Sequence, residues 1–383
     1  MSGVQIPPPL PFYDIILLDY SSFFNKVYFL FFFFMYKNFV NDKIILFGIS
    51  YRCLIFVLLV YYPFFHNSFG YISPLSYQEF ADLNFYKNFG ELEFALSNFY
   101  FNYYNLFTLN FDDINNRFPG PLFPLILFLT NYSHDFTILM AAAIFLSELF
   151  AYLIWSKKFS KLNSLSLLIF SIMPIPLYFG FLHSTDVIFY LLFTLLYFEF
   201  CSKIRLRNIT VLFFFILILR PNSGLVFFSS FVYFLLTKEN IKLIFVSLIF
   251  LIISIAYYGP YFFYEIEKIH GLNLIDNESQ KHLLGFFYEY IKKFFFVFGF
   301  VPSDSKNIYF YLLRCFCASI FLIGFLNMLL TKKKLIDIIF IVPFIFFTVT
   351  LFFPAYRYIL PITPILIFYF CLFVFKKKFK KNI

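Results

Sequence analysis

Ile209–Leu236 reads ITVLFFFILILRPNSGLVFFSSFVYFLL, and its interpretation decides the fold. These 28 residues are too many for one crossing of a hydrocarbon layer, which takes about 20. Arg220-Pro221 breaks the run near its middle. Arg205 and Arg207 precede it, and Lys238 and Lys242 follow. Basic residues collect on the cytoplasmic side of membrane proteins, so both flanks belong there. The segment is therefore expected to leave and return as two short half-spans that meet at Arg220.

The same pattern extends in both directions. Apolar runs are expected to cross at Ile44–Phe65, Phe136–Trp155, Leu162–Phe181, His183–Phe200, Ile241–Phe262, Ile308–Leu330, Leu335–Phe353 and Tyr358–Phe375. Lys157, Lys158 and Lys161, then Lys203, then Lys332, Lys333 and Lys334 punctuate them. The expected fold is an all-α polytopic membrane protein with about ten transmembrane helices and both termini inside. Every lysine cluster then falls on one side, and two long loops, 66–135 and 263–306, fall on the other with most of the carboxylates. Arg52, inside the first run, is expected to snorkel toward the cytoplasm. Gly120–Thr130 is too short to cross and suits a helix lying on the outer surface, as does Phe286–Val301.

Composition agrees. Hydrophobic residues make up 61% of the chain, and 69 of 383 residues are phenylalanine, more than a soluble core needs. The net charge of +9 sits in loops and tail, so topology explains it and a nucleic-acid partner is not implied. Five scattered cysteines give neither a disulfide framework nor zinc spacing. The organisation is an arm at 1–43, one transmembrane domain at 44–375, and a basic cytoplasmic tail at 376–383. The first 34 residues depart in composition, which reads either as a start that belongs at Met35 or as an irregular cytoplasmic arm. No small-residue cleavage site follows their apolar run.

Chemistry must come from the sparse polar residues. Ser76-Tyr77-Gln78-Glu79 is a capping-box pattern with Gly90 as C-cap, giving a helix over Tyr77–Phe89. Glu79, Asp82 and Tyr86 share one face of it. Capping explains Glu79. Asp82 is either a solvated face or a general base at the membrane surface. Asp112-Asp113 offers a weak divalent-cation signal. Arg117 either meets a lipid phosphate or pairs with Asp113, ahead of a sharp Pro119-Gly120-Pro121 corner.

His183-Ser184-Thr185-Asp186 opens a span at the outer face, where Asp186 can cap the helix that follows. Arg220 must face protein, phosphate or water, because a charge at the bilayer centre costs ~2.5–3.5 kcal/mol. Arg357-Tyr358 opens the last span, and its guanidinium can grip a phosphate bidentately or anchor at headgroup level. Glu148 lies inside an apolar span with no partner nameable from sequence. The second loop carries His270, Glu278, His282, Glu289, Lys292 and Lys293 without a metal-ligand motif. There is no GxxxxGK[ST] or GxGxxG loop, which disfavours a nucleotide-driven mechanism.

In order and sidedness these motifs resemble the GT-C superfamily of integral membrane glycosyltransferases, especially the aminoarabinose transferase and protein O-mannosyltransferase branch. Asp82-Leu83-Asn84-Phe85-Tyr86 is similar to that family's acidic first-loop element. Arg117-Phe118-Pro119-Gly120-Pro121-Leu122-Phe123 is similar to its juxtamembrane segment. Asp186, Arg220-Pro221 and Arg357-Tyr358-Ile359-Leu360-Pro361 follow in the family's order. The family's frequent Asp-Glu pair is missing at Asp82, and there is no large soluble C-terminal domain.

The resemblance implies a polyprenyl- or dolichyl-phosphate sugar donor, a glycan, lipid or protein acceptor, and catalysis on the outer or lumenal side. It implies Asp82 as base and Arg357, Arg220 and Arg117 as phosphate ligands, with Tyr86, Asp113, His183, Asp186 and Tyr358 in support. No particular cofactor is implied, and a divalent cation at Asp112-Asp113 stays open. The location is the inner cell membrane, or the endoplasmic reticulum in a eukaryote. Two rivals are an O-antigen or exopolysaccharide polymerase, and a non-enzymatic transporter or flippase, which would place polar groups at mid-membrane.

Overall fold

A computed structural model of the protein describes residues 42–55, 122, 136–173, 185–220, 223–256, 258, 283–300, 308–331, 335–350 and 356–375. All regular structure among the described residues is helical. The first helical segment, α1, covers residues 43–55. Asp42 caps it, its Oδ1 accepting from the Ile44 and Ile45 amides at 3.2 and 3.3 Å. There follow α2 (Phe136–Ser160), α3 (Ser164–Ile172), α4 (Thr185–Cys201), α5 (Leu206–Leu219), α6 (Ser223–Thr237) and α7 (Ile241–Ala256). Then come α8 (Leu283–Phe298), α9 (Ile308–Leu330), α10 (Leu335–Thr350), a 3₁₀ helix (Tyr356–Ile362) and α11 (Thr363–Val374).

The helix is broken at Arg220, between α5 and α6. Arg220 precedes a proline, whose ring excludes the helical conformation from the residue before it. Its backbone is accordingly extended, with φ −163° and ψ 158°. The ends of other helices are equally local in origin. Gly299, at φ 100°, closes α8, its amide reaching the Phe296 carbonyl while the Phe300 amide reaches Phe295. Lys238 takes the same left-handed position after α6, at φ 53°.

Helix α4 lies against α2, α5 and the 3₁₀ turn, and α9 runs beside α11. The α9–α11 approach is close because of Gly324: a Cβ there would overlap the Leu366 carbonyl oxygen and stand 2.8 Å from its carbon. One turn further on, Asn327 Nδ2 donates to the Tyr369 carbonyl at 2.8 Å. The core is aromatic. Phe193 meets Phe340 and Phe344 edge-on at 5.6 and 5.4 Å, and Phe159 stacks on Phe170 at 4.2 Å. The outside is apolar too: Phe214, Phe245, Phe316 and Phe346 are exposed, the last at 69%.

Several expectations change. Of the crossings expected, one stretch among the described residues, Leu312–Leu330 in α9, is long and apolar enough to cross a membrane, with mean hydropathy 2.0. Leu206–Leu219, Ser223–Thr237, Ile241–Ala256, Leu335–Phe346 and Tyr358–Val374 are apolar but shorter. What the fold establishes is the all-α class. The last span does not begin as α-helix: Arg357 to Pro361 belongs to the 3₁₀ turn, and α11 starts only at Thr363, with Pro364 in its first turn. Of the Leu162–Phe181 run, Ser164–Ile172 is helical and residues 174–181 lie outside the described residues. The surface helix expected at Phe286–Val301 runs instead from Leu283 to Phe298, ended by Gly299. Arg52 does not snorkel: it is 1% exposed and held inside the bundle by Glu148.

Candidate functional site

Arg220 hangs at the end of α5, and Asp186 stands in the first turn of α4. Both are buried, and the Arg220 Nη1 is ion-paired with Asp186 Oδ1. The guanidinium carbon lies 5.1 Å from the Phe189 ring and 5.5 Å from the Tyr358 ring. Two aromatic faces therefore flank the cation, an arrangement that favours a guanidinium over water. Tyr358 comes from the 3₁₀ turn, which packs against α4 and also carries Arg357. Nearby contacts mark this end of the bundle. Tyr258 Oη donates to the Leu217 carbonyl at 2.7 Å, and the Ser223 and Ser254 hydroxyls meet at 3.1 Å.

Three of the expected site residues, Asp186, Arg220 and Tyr358, are thus brought together from 172 residues of sequence. Arg357 is a neighbour of Tyr358 on the same turn. Asp82, Tyr86, Asp113, Arg117 and His183 lie outside the described residues. Asp186 does more than favour a helix terminus, since its carboxylate takes the Arg220 cation. Arg220 Nε is buried and has no hydrogen-bond partner, so one donor of the fork is uncommitted.

The opposite end of the bundle holds a second polar group that sequence did not single out. Asp337, in the first turn of α10, is buried. The Tyr197 hydroxyl donates to its Oδ1 and the Tyr369 hydroxyl to its Oδ2. Lys158 Nζ donates to the Tyr197 oxygen at 3.1 Å. The ammonium also sits 4.9, 4.7 and 4.8 Å from the rings of Trp155, Tyr197 and Phe368. Four helices, α2, α4, α10 and α11, meet there. The only sequence signal was an acid beside an apolar run.

Between the ends, Arg52 of α1 donates through Nε to Glu148 Oε1 of α2 at 2.8 Å. Arg52 is about 14 Å along its helix from Lys43, and Glu148 about 18 Å from Ser160, at 1.5 Å per residue. Among the described residues, no three His, Cys, Asp or Glu side chains group as a metal site. No family model, curated protein or solved structure matches this chain.

Proposed function

We propose that this chain is a multi-pass membrane glycosyltransferase that moves a sugar from a polyprenyl- or dolichyl-phosphate donor to an acceptor on the outer or lumenal face. The observation that carries the reading is the convergence of Asp186, Arg220 and Tyr358 at one end of the bundle, on the turn that bears Arg357. A membrane setting is supported by the apolar exterior. Exposed Phe, Leu and Ile surface costs roughly 25 cal/mol per Å² in water and nothing comparable in lipid. The lysine-bearing end, with Lys158, would face the cytosol, and the Arg220 end would face outward.

At that outer end the donor's lipid tail stays among the helices and its phosphate meets Arg357. Arg220 contributes through its uncommitted Nε, while Asp186 holds the rest of the guanidinium in place. The acceptor hydroxyl oxygen attacks the anomeric carbon and the bond from that carbon to the phosphate oxygen breaks. Asp82 takes the hydroxyl proton, and the lipid phosphate leaves with the bonding pair. The guanidinium groups offset the charge that grows on the departing phosphate. Inversion at the anomeric carbon is the outcome expected of such a single displacement.

The test is sugar transfer from a lipid-phosphate donor in proteoliposomes. Asp82→Asn and Arg357→Ala are expected to abolish transfer while the protein stays folded, and full activity in both would remove the site assignment. A second reading, a transporter or flippase, draws support from one observation, the ion pair that Arg52 makes with Glu148 at the middle of α2. Movement of a labelled lipid across the bilayer without sugar transfer would favour it.

A further inference from the structure

We infer that the Arg52–Glu148 pair binds one water molecule at its open edge. A guanidinium carries five N–H donors. Arg52 Nε gives its one to Glu148 Oε1 at 2.8 Å. Nη1 reaches two carbonyls, Gly48 at 3.3 Å and Ser171 at 3.1 Å. The donors on Nη2 have no hydrogen-bond partner, and neither does Glu148 Oε2, although both atoms are buried.

These two atoms are not orphaned independently. In a guanidinium, Nε–H and one Nη2–H point the same way from one edge, the edge that grips a carboxylate through two parallel bonds. Here only the first of those bonds is made. The spare donor belongs to the edge that already holds Oε1, and the spare acceptor is the other oxygen of that same carboxylate, which brings both within reach of one small bridging molecule. Arg52 has little freedom to rotate and make the second bond directly. Its two carbonyl bonds fix Nη1, and the Tyr152 ring covers its face at 3.8 Å. Tyr152 is itself pinned to Ser171 by a 2.5 Å hydroxyl contact, and it presses on Gly48, where a Cβ would overlap its hydroxyl.

The missing ligand must accept from Nη2 and donate to Oε2. An anion without a proton cannot donate, a metal cation cannot accept, and the pair is already neutral. A hydroxyl satisfies both, and the smallest is water, which is found in such buried polar gaps.

The test is a cryo-electron microscopy map of the full chain in lipid nanodiscs, at a resolution that reveals ordered water. The expected result is a density peak within hydrogen-bond distance of both Arg52 Nη2 and Glu148 Oε2. A direct Nη2–Oε2 bond, or a gap with no peak, would overturn the inference. Infrared spectra give an independent reading. The wild type is expected to have a water O–H band that shifts in H₂¹⁸O and is lost or displaced in Glu148→Gln. No ¹⁸O-sensitive band attributable to Glu148 would equally overturn it. Neither measurement depends on sugar transfer, so failure here leaves the proposed activity standing, and the reverse holds.

Discussion

The Asp186 carboxylate holds the Arg220 guanidinium between the Phe189 and Tyr358 rings, joining the start of α4 to the end of α5 and to the 3₁₀ turn. Removing one partner of a buried pair leaves an uncompensated charge, at a cost of about 3–5 kcal/mol. Asp186→Leu is therefore expected to lower the unfolding temperature in detergent markedly. The double variant Asp186→Leu/Arg220→Met is expected to recover most of that loss, because no bare charge remains. Thermal unfolding of the two variants beside wild type checks this. If the double variant is no more stable than the single, the pair is not the source of the effect.

Gly324 makes the α9–α11 contact possible. Gly324→Ala would drive a methyl group into the Leu366 carbonyl, which is backbone and cannot swing away. Overpacking of this kind costs about 1–3 kcal/mol. The control is Gly224→Ala, whose Cβ would meet the Ser254 hydroxyl at 3.2 Å, a side-chain atom that need give only slightly while keeping its contact with Ser223. The first variant is expected to lose stability and the second to stay near wild type, as read by the fraction remaining monodisperse after a heat challenge.

Asp337 is satisfied by two tyrosines, one on each carboxylate oxygen. Tyr369→Phe removes a hydrogen bond to the carboxylate, and Tyr197→Phe removes one together with the acceptor of Lys158 Nζ; each hydrogen bond to a charged group is worth about 1.5–3 kcal/mol. Members of one network couple, so the effects are expected to depart from additivity by more than about 0.5 kcal/mol. A double-mutant cycle measured by denaturant unfolding supplies the comparison. Strict additivity would mean that the two hydroxyls do not share the carboxylate.

Individual residues explain how far the sequence could be read. The break at Arg220 was legible because proline acts on the residue immediately before it. The apolar runs were legible because hydrophobicity needs no partner to be recognised. Glu148 was recognisable as out of place, but its partner lay 96 positions away. Arg52 was read as reaching for water, because a lone arginine in an apolar run has no better option in one dimension. Asp337 was not legible, since nothing in Leu335–Phe353 anticipates hydroxyls from two other helices. Within the last apolar run, the change from 3₁₀ at Tyr356–Ile362 to α at Thr363 was not legible, because hydrophobicity does not register the hydrogen-bonding pattern.

By itself, the sequence determined an all-helical chain with an oily surface, its basic residues gathered between apolar runs, and a forced break between α5 and α6. These follow from composition, local sterics and charge order. Tertiary structure alone decided that Asp186, Arg220 and Tyr358 meet, that Glu148 answers Arg52, and that Tyr197 and Tyr369 converge on Asp337. Those pairings depend on how each helix is rotated about its axis and how far it slides along its neighbours. Both quantities are set by side-chain packing across the bundle, which no local window of sequence contains.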